Sequence, residues 1–172
     1  MRIEDKFKEL REREEGAYMP HIYYGDPNVD FSRDLVMTLA ENGADMLEFG
    51  IPFSDPTADG PTFQESCERA LQNGITPKKC ISGIEGLRED GLEIPIVLTT
   101  YFNIPYTYGL EEFFDDLERV DVQGIIIPNI PLEEATPVSE VADAKGIDVI
   151  FQVTPNTSDS RLRKIASASS GF

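Results

Sequence analysis

At 172 residues with 40% apolar side chains, the chain can bury one sizeable core, and no composition shift or Pro/Ser-rich linker divides it, so residues 1–172 read as a single domain. Thirty-two acids against fifteen Lys and Arg give a net charge of −17, which disfavours nucleic acid and anionic membrane surfaces as partners. No apolar run approaches the roughly 20 residues of a membrane span. Residues 1–16 are charged throughout and lack a secretory apolar core, so a cytoplasmic location is expected.

Residues 2–15 place Ile3, Phe7 and Leu10 at spacings of four and three, which lays one apolar stripe along a helix. Five β-rich runs follow at 18–24, 46–49, 94–99, 122–127 and 148–153. The segments between and after them predict helices over 31–42, 62–72 with 77–89, 110–120, 132–145 and 158–169. Where a single helix intervenes, strands recur at roughly the length of one βα unit with short loops. The second gap is longer, because a Pro/Gly/Asp-rich loop and two helices fill it. Such alternation builds either an open doubly wound sheet or a closed barrel. The first strand is followed by Tyr24-Gly25-Asp26-Pro27 rather than G-x-G-x-x-G, which disfavours a dinucleotide site. The expectation is therefore an α/β fold of the (β/α)8 barrel type, present as about five βα units behind an N-terminal helix. A closed barrel takes about 250 residues, so the domain is expected to be an incomplete one. In that reading Gly171 caps the fifth helix and Phe172 opens a sixth strand, while strands one and five are left as edges.

Cys67 and Cys80 form neither a C-x-x-C pair nor part of a set of four, so no metal site and no disulfide is expected. The informative segment runs from Gly43 to Pro61. Glu48 lies inside the second strand between Leu47 and Phe49, where an ionised carboxylate costs several kcal/mol without a partner. Desolvation there predicts a raised pKa and suits a general acid/base; a structural ion pair is the alternative. Asp59 stands in the following loop before Gly60 and Pro61, where it is either a second catalytic carboxylate or a helix N-cap. Asp55, between Ser54 and Pro56, reads as a turn former. In a parallel barrel, strand C-termini and βα loops share one mouth, so Glu48 and Asp59 can converge.

The run from Glu48 through Phe49-Gly50-Ile51-Pro52-Phe53-Ser54-Asp55-Pro56-Thr57-Ala58-Asp59-Gly60 to Pro61 resembles the signature of the tryptophan synthase α subunit family. Gly25-Asp26-Pro27, Tyr101 with Asn103, and Pro131-Leu132-Glu133-Glu134 extend the resemblance along the chain. It implies retro-aldol cleavage of indole-3-glycerol phosphate to indole and glyceraldehyde 3-phosphate within tryptophan biosynthesis. Glu48 would move the protons and Asp59 would hold the indole N–H, with no metal or organic cofactor in this chain. Tyr101 would line the indole pocket. His21 departs from the apolar aromatic residue usual at its position; a lone His on an apolar strand is commonly a satisfied core residue, and here contact with substrate is the other reading. The implied partner, within a heterotetramer, is a pyridoxal-phosphate-dependent β subunit that meets Pro52, Asp55, Pro56, Asn129 and Pro131. Asn129 stands where the family often has Asp, which weakens that contact. The loops that hold the substrate phosphate are expected beyond Phe172, so this length alone is expected to be nearly inactive. Two other readings stay open: another phosphate-sugar barrel isomerase, or a non-catalytic barrel subunit that binds and activates a β subunit.

Overall fold

Four-residue stretches such as Ile-Val-Leu-Thr are apolar on both faces, which suits strands covered on both sides in a parallel sheet. The computed structural model, which describes residues 1–172, has five short strands in one parallel sheet: β1 His21–Tyr23, β2 Leu47–Gly50, β3 Ile96–Thr99, β4 Gly124–Ile126 and β5 Asp148–Ile150. Their spatial order is β1-β2-β3-β4-β5. Sequential order with right-handed crossovers puts every connecting helix on one side, which bends the sheet towards a barrel, whereas a doubly wound sheet reverses direction midway.

The helices are α1 Ile3–Glu12, α2 Val29–Glu41, α3 Pro61–Gln72, α4 Pro77–Glu89, α5 Asn103–Tyr108, α6 Leu110–Arg119, α7 Thr136–Ala144 and α8 Asp159–Ala168. The structure departs from the expectations at four points. Residues 132–145 are not one helix: a 3-10 turn at Leu132–Glu134 precedes α7, whose first turn carries Pro137. The short α5 was not anticipated, because six residues containing Pro105 offer no full apolar period. Gly171 does not cap α8, which ends at Ala168 with Ser169 already extended. Nor does Phe172 begin a strand; instead Ser170 donates its N–H to the Val149 carbonyl, while the Ser170 and Ser169 hydroxyls accept the N–H groups of Val149 and Phe151.

Alternation along each strand divides the core in two. Ile22, Leu47, Phe49, Ile96, Leu98, Ile125 and Val149 turn towards the helices within a large apolar layer. On the concave face, Met46, Val97, Ile126 and Ile150 gather around Ile3, which α1 delivers to the N-terminal end of the sheet. Gly124 leaves room for it, since a Cβ there would come within 2.8 Å of Ile3 Cδ1. Parallel register then sets two cross-strand rows on this face: His21, Glu48, Val97, Gly124 and Asp148, and above them Tyr23, Gly50, Thr99, Ile126 and Ile150.

The loop after β1 is locked to its neighbours. Gly25 has φ +92°, and a Cβ there would lie 2.3 Å from Ile75 Cγ1. Asp26 accepts from Ser66 Oγ at 2.6 Å and from Arg69 Nε and Nη2 at 2.6 and 2.8 Å, tying the loop to α3. The Arg69 fork, opposed by partial burial and helped by Ser66, holds the Asp26 carboxyl below its ordinary 3.8.

Gly25→Ala is expected to lose at least about 2 kcal/mol in urea unfolding, combining left-handed strain with overlap. Gly43→Ala is the control, with φ +97° but nothing within 4 Å, and should lose less; equal losses would remove Ile75 as a cause. A depressed native pKa adds stability above the unfolded value that disappears as pH falls through the folded one. The stability gap between wild type and Asp26→Asn is therefore expected in full at pH 7 and to close steadily below 3.8. A gap independent of pH would show that the Asp26 charge contributes nothing.

Candidate active site

Glu48 sits on the concave face beside His21, its register partner on β1. The imidazole Nδ1 lies 2.9 Å from Glu48 Oε1, and Thr99 Oγ1 donates to the same oxygen at 2.6 Å. Oε2 has no hydrogen-bond partner in the protein. Burial pushes the Glu48 pKa up, but the His21 hydrogen bond and charge, together with Thr99, outweigh it and bring the carboxyl below its ordinary value. The raised pKa expected from the strand pattern is thus corrected: Glu48 rests as a carboxylate at neutral pH. A cross-strand donor 27 residues away reverses the sign that desolvation alone would give.

Asp59 is not the N-cap of α3. That position belongs to Gly60, which makes no side-chain cap. The Asp59 side chain instead turns inward, where Oδ2 accepts the hydroxyls of Tyr23 at 2.8 Å and Tyr101 at 3.1 Å. Tyr23 reaches it because its ring lies across Gly50, where a Cβ would come within 2.6 Å of the ring. Burial, then the Asp59 hydrogen bond, raises the Tyr23 phenol far above its ordinary value, so it stays a donor. Tyr101 is pushed up to about 12, mainly by burial, with the Ala58 N–H opposing and Asp59 assisting.

Glu48 and Asp59 are therefore linked through packed side chains. His21 contacts the Tyr23 ring edge-on, with centroids 4.8 Å apart, and the Phe63 ring at 4.7 Å. Its Nε2 is buried without a partner in the protein, and its Nδ1 faces Glu48. Tyr101 is only 2% exposed; besides Asp59, its oxygen accepts the Ala58 N–H at 2.9 Å and its ring stacks on Phe53 at 5.2 Å. It holds the loop more than it lines a pocket. Tyr23, Thr99 and Phe63 were missed by the sequence reasoning. Strand parity with His21 and Glu48 would have placed Tyr23 on the same face, whereas nothing in the sequence sends Thr99 to Glu48.

Of the residues expected to meet a partner, Pro52 and Pro56 are buried within the loop and offer no surface of their own. Asp55 is exposed and makes the expected turn, accepting from Ser54 Oγ at 2.6 Å. Pro131 is exposed. Asn129 is also at the surface, but its amide is engaged within the chain: Oδ1 accepts the Phe102 N–H at 2.8 Å and Nδ2 donates to Asn103 Oδ1 at 3.2 Å. No group of three or more His, Cys, Asp and Glu converges in a metal-holding arrangement, and no helix is long and apolar enough to cross a membrane.

Residues 7–172 match the family model described as tryptophan synthase alpha chain. The chain is similar to the tryptophan synthase alpha chains of Methanosarcina mazei, at 43% identity, and Prochlorococcus marinus, at 45%. Each match covers 99% of this chain but only 62% and 61% of those relatives, so the chain spans about three fifths of their length. A solved tryptophan synthase alpha chain from Legionella pneumophila superposes with a TM-score of 0.93 at 32% identity, covering 99% of this chain and 64% of that one. A tryptophan synthase structure from M. tuberculosis gives 0.94 at 31% identity, covering 99% and 68%. With nearly the whole sequence matched by the family model and the parallel-strand architecture matched by solved members, the chain belongs to the tryptophan synthase alpha chain family.

Proposed function

We propose that the protein cleaves indole-3-glycerol phosphate to indole and glyceraldehyde 3-phosphate, a carbon–carbon lyase reaction of tryptophan biosynthesis. The observation that carries this reading is a strand carboxylate on the concave face and a loop carboxylate beyond the C-terminal end of the same strand, each held by a different donor set. Retro-aldol cleavage takes the proton from the glycerol hydroxyl and places one on indole C3, which puts positive character on the ring nitrogen; the carbon–carbon bond then breaks, and its electron pair returns to the ring. Glu48, ionised at rest, begins as the base and returns the proton to C3, so the balance closes on one group. Asp59 accepts the indole N–H as positive character builds on the nitrogen, while the phenols of Tyr23 and Tyr101 fix its carboxylate from behind.

Every step moves protons on the substrate, so the reading assigns no metal or organic cofactor to this chain. Pyridoxal phosphate belongs to a partner β subunit that consumes the indole. Exposed Asp55, Pro131 and Asn129 frame the mouth that this subunit would meet in a heterotetramer, and Pro52 and Pro56 shape the loop from beneath. A cytoplasmic location accompanies the reading, since substrate and partner are those of amino-acid biosynthesis.

Measured on the full-length protein with indole-3-glycerol phosphate, Glu48→Gln is expected to lower kcat by about 10²- to 10⁴-fold. Asp59→Asn should lower it by about 10²- to 10³-fold. An active Glu48→Gln enzyme would reject the assignment, while a wild type that binds the β subunit tightly without cleaving substrate would favour the scaffold reading. Tyr101→Phe removes the acceptor for the Ala58 N–H. Hydrogen exchange at Ala58 is expected to accelerate about tenfold, the equivalent of one hydrogen bond. Unchanged protection there would show that the loop is held by other contacts.

A further inference from the structure

We propose that His21 is a positioning residue for the proton carrier: with Thr99 it anchors Oε1 of Glu48, leaving Oε2 as the oxygen that takes and returns the substrate proton. The inference rests on the cleavage reading above and concerns a residue outside the Glu48 and Asp59 assignments.

Two donors converge on one carboxylate oxygen, His21 Nδ1 at 2.9 Å and Thr99 Oγ1 at 2.6 Å. A glutamate carboxylate otherwise turns almost freely about its terminal torsion, which is broad and two-fold. Loading a single oxygen removes that freedom and makes the two oxygens unequal. His21 is itself held. Tyr23 meets the ring edge-on and Phe63, from the first turn of α3, lies tilted against it at 4.7 Å. With Nε2 buried and unpartnered, the only hydrogen bond the ring makes within the protein is the one to Glu48. A histidine serving as a general core residue would satisfy both nitrogens; this one leaves an atom unsatisfied to keep Nδ1 on the carboxylate.

The titratable and polar groups around the pair are few. Tyr23 comes from β1, Thr99 from β3, Asp59 from the loop after β2 and Cys67 from α3, and the Asp59 charge is already met by Tyr23 and Tyr101. His21 and Thr99 are the groups in contact with the Glu48 carboxylate. Removing His21 leaves burial as the dominant influence, which drives the carboxyl upward, so that the base is neutralised at a higher pH than in the wild type.

The test compares pH profiles of kcat and KM for full-length wild type, His21→Phe, His21→Asn and Thr99→Val. In His21→Phe, kcat at pH 6 is expected to fall at least about tenfold with KM nearly unchanged, and to recover substantially at pH 9, because the acidic limb has moved to higher pH. His21→Asn, whose amide can stand in for the Nδ1–H, is expected to keep more of kcat at pH 6. Thr99→Val should displace the limb in the same direction as His21→Phe, which keeps the test alive if the phenylalanine variant does not fold. A His21→Phe loss that is equal at every pH, or a rise in KM alone, would overturn the proposal; so would a Thr99→Val limb at the wild-type position where His21→Phe cannot be measured. An inactive Glu48→Gln enzyme alongside a wild-type limb in His21→Phe would sink this inference while leaving the cleavage reading standing.

Discussion

A carboxylate in the middle of a parallel strand, facing the concave side of a sheet, is the constraint around which this chain is arranged. Uncompensated, Glu48 would either cost several kcal/mol as an ion or take up a proton. Compensation comes from register: parallel pairing of β1 with β2 sets His21 opposite Glu48, and pairing of β2 with β3 brings Thr99 one step along on the other side. A one-residue slip of β1 would turn His21 towards the helices and set Ile22 against the acid. The contacts that fix the end of β1 therefore act on the chemistry without touching it. Gly25 against Ile75, and Asp26 clamped by Ser66 and Arg69, tie the loop that follows β1 to its neighbours.

The second acid is solved differently because it sits on a different kind of element. Asp59 belongs to a loop, and loops move more readily than strands, so its placement depends on long side chains reaching out from the rigid sheet. Tyr23 and Tyr101 project from the ends of β1 and β3 and meet on one oxygen of the carboxylate. Tyr101 also takes the Ala58 N–H, which ties the loop backbone to the group that the loop carries. Both tyrosines remain protonated across the working pH range, since burial and the nearby carboxylate raise them. They donate to Asp59 without competing for its charge.

The outline of this arrangement was legible in the sequence because it rests on short-range signals. Helix α4 begins where Thr76 and Pro77 announce it, and the Thr76 hydroxyl does accept the Lys79 N–H. The alternation of β-rich runs with amphipathic segments narrowed the fold to a parallel sheet, doubly wound or closed as a barrel, and the position of Glu48 within a strand marked it as costly. What stayed hidden were pairings across large sequence distances. The sign of the Glu48 shift depends on His21, 27 residues earlier, and on Thr99, 51 residues later. Asp59 reads as a cap from its neighbours Gly60 and Pro61, and only the Tyr23 and Tyr101 hydroxyls, 36 and 42 residues away, draw it inward. Asn129 was equally opaque, since its amide staples the start of α5 and that helix itself has too few residues to show a period.

The vertical order of the concave face explains why the two acids are suited to unlike tasks. Ile3, Met46 and Val97 make apolar contacts at the N-terminal end, where Gly124 is the gap that lets α1 enter, and Ile126 and Ile150 carry the same cluster into the next row up. Glu48 lies in the row shared with Val97 and Gly124, close to that end, where the dielectric is low and each donor has a large effect on its proton affinity. Asp59 sits above, in the loop beyond the C-terminal end of β2, where barrels of this type carry their chemistry. A proton carrier benefits from the deep position because few neighbours decide its state; a group that steadies developing charge needs only a fixed position beside the substrate. The fold separates them by depth, and His21, whose strand leads up to Tyr23, stands at the junction between the two levels.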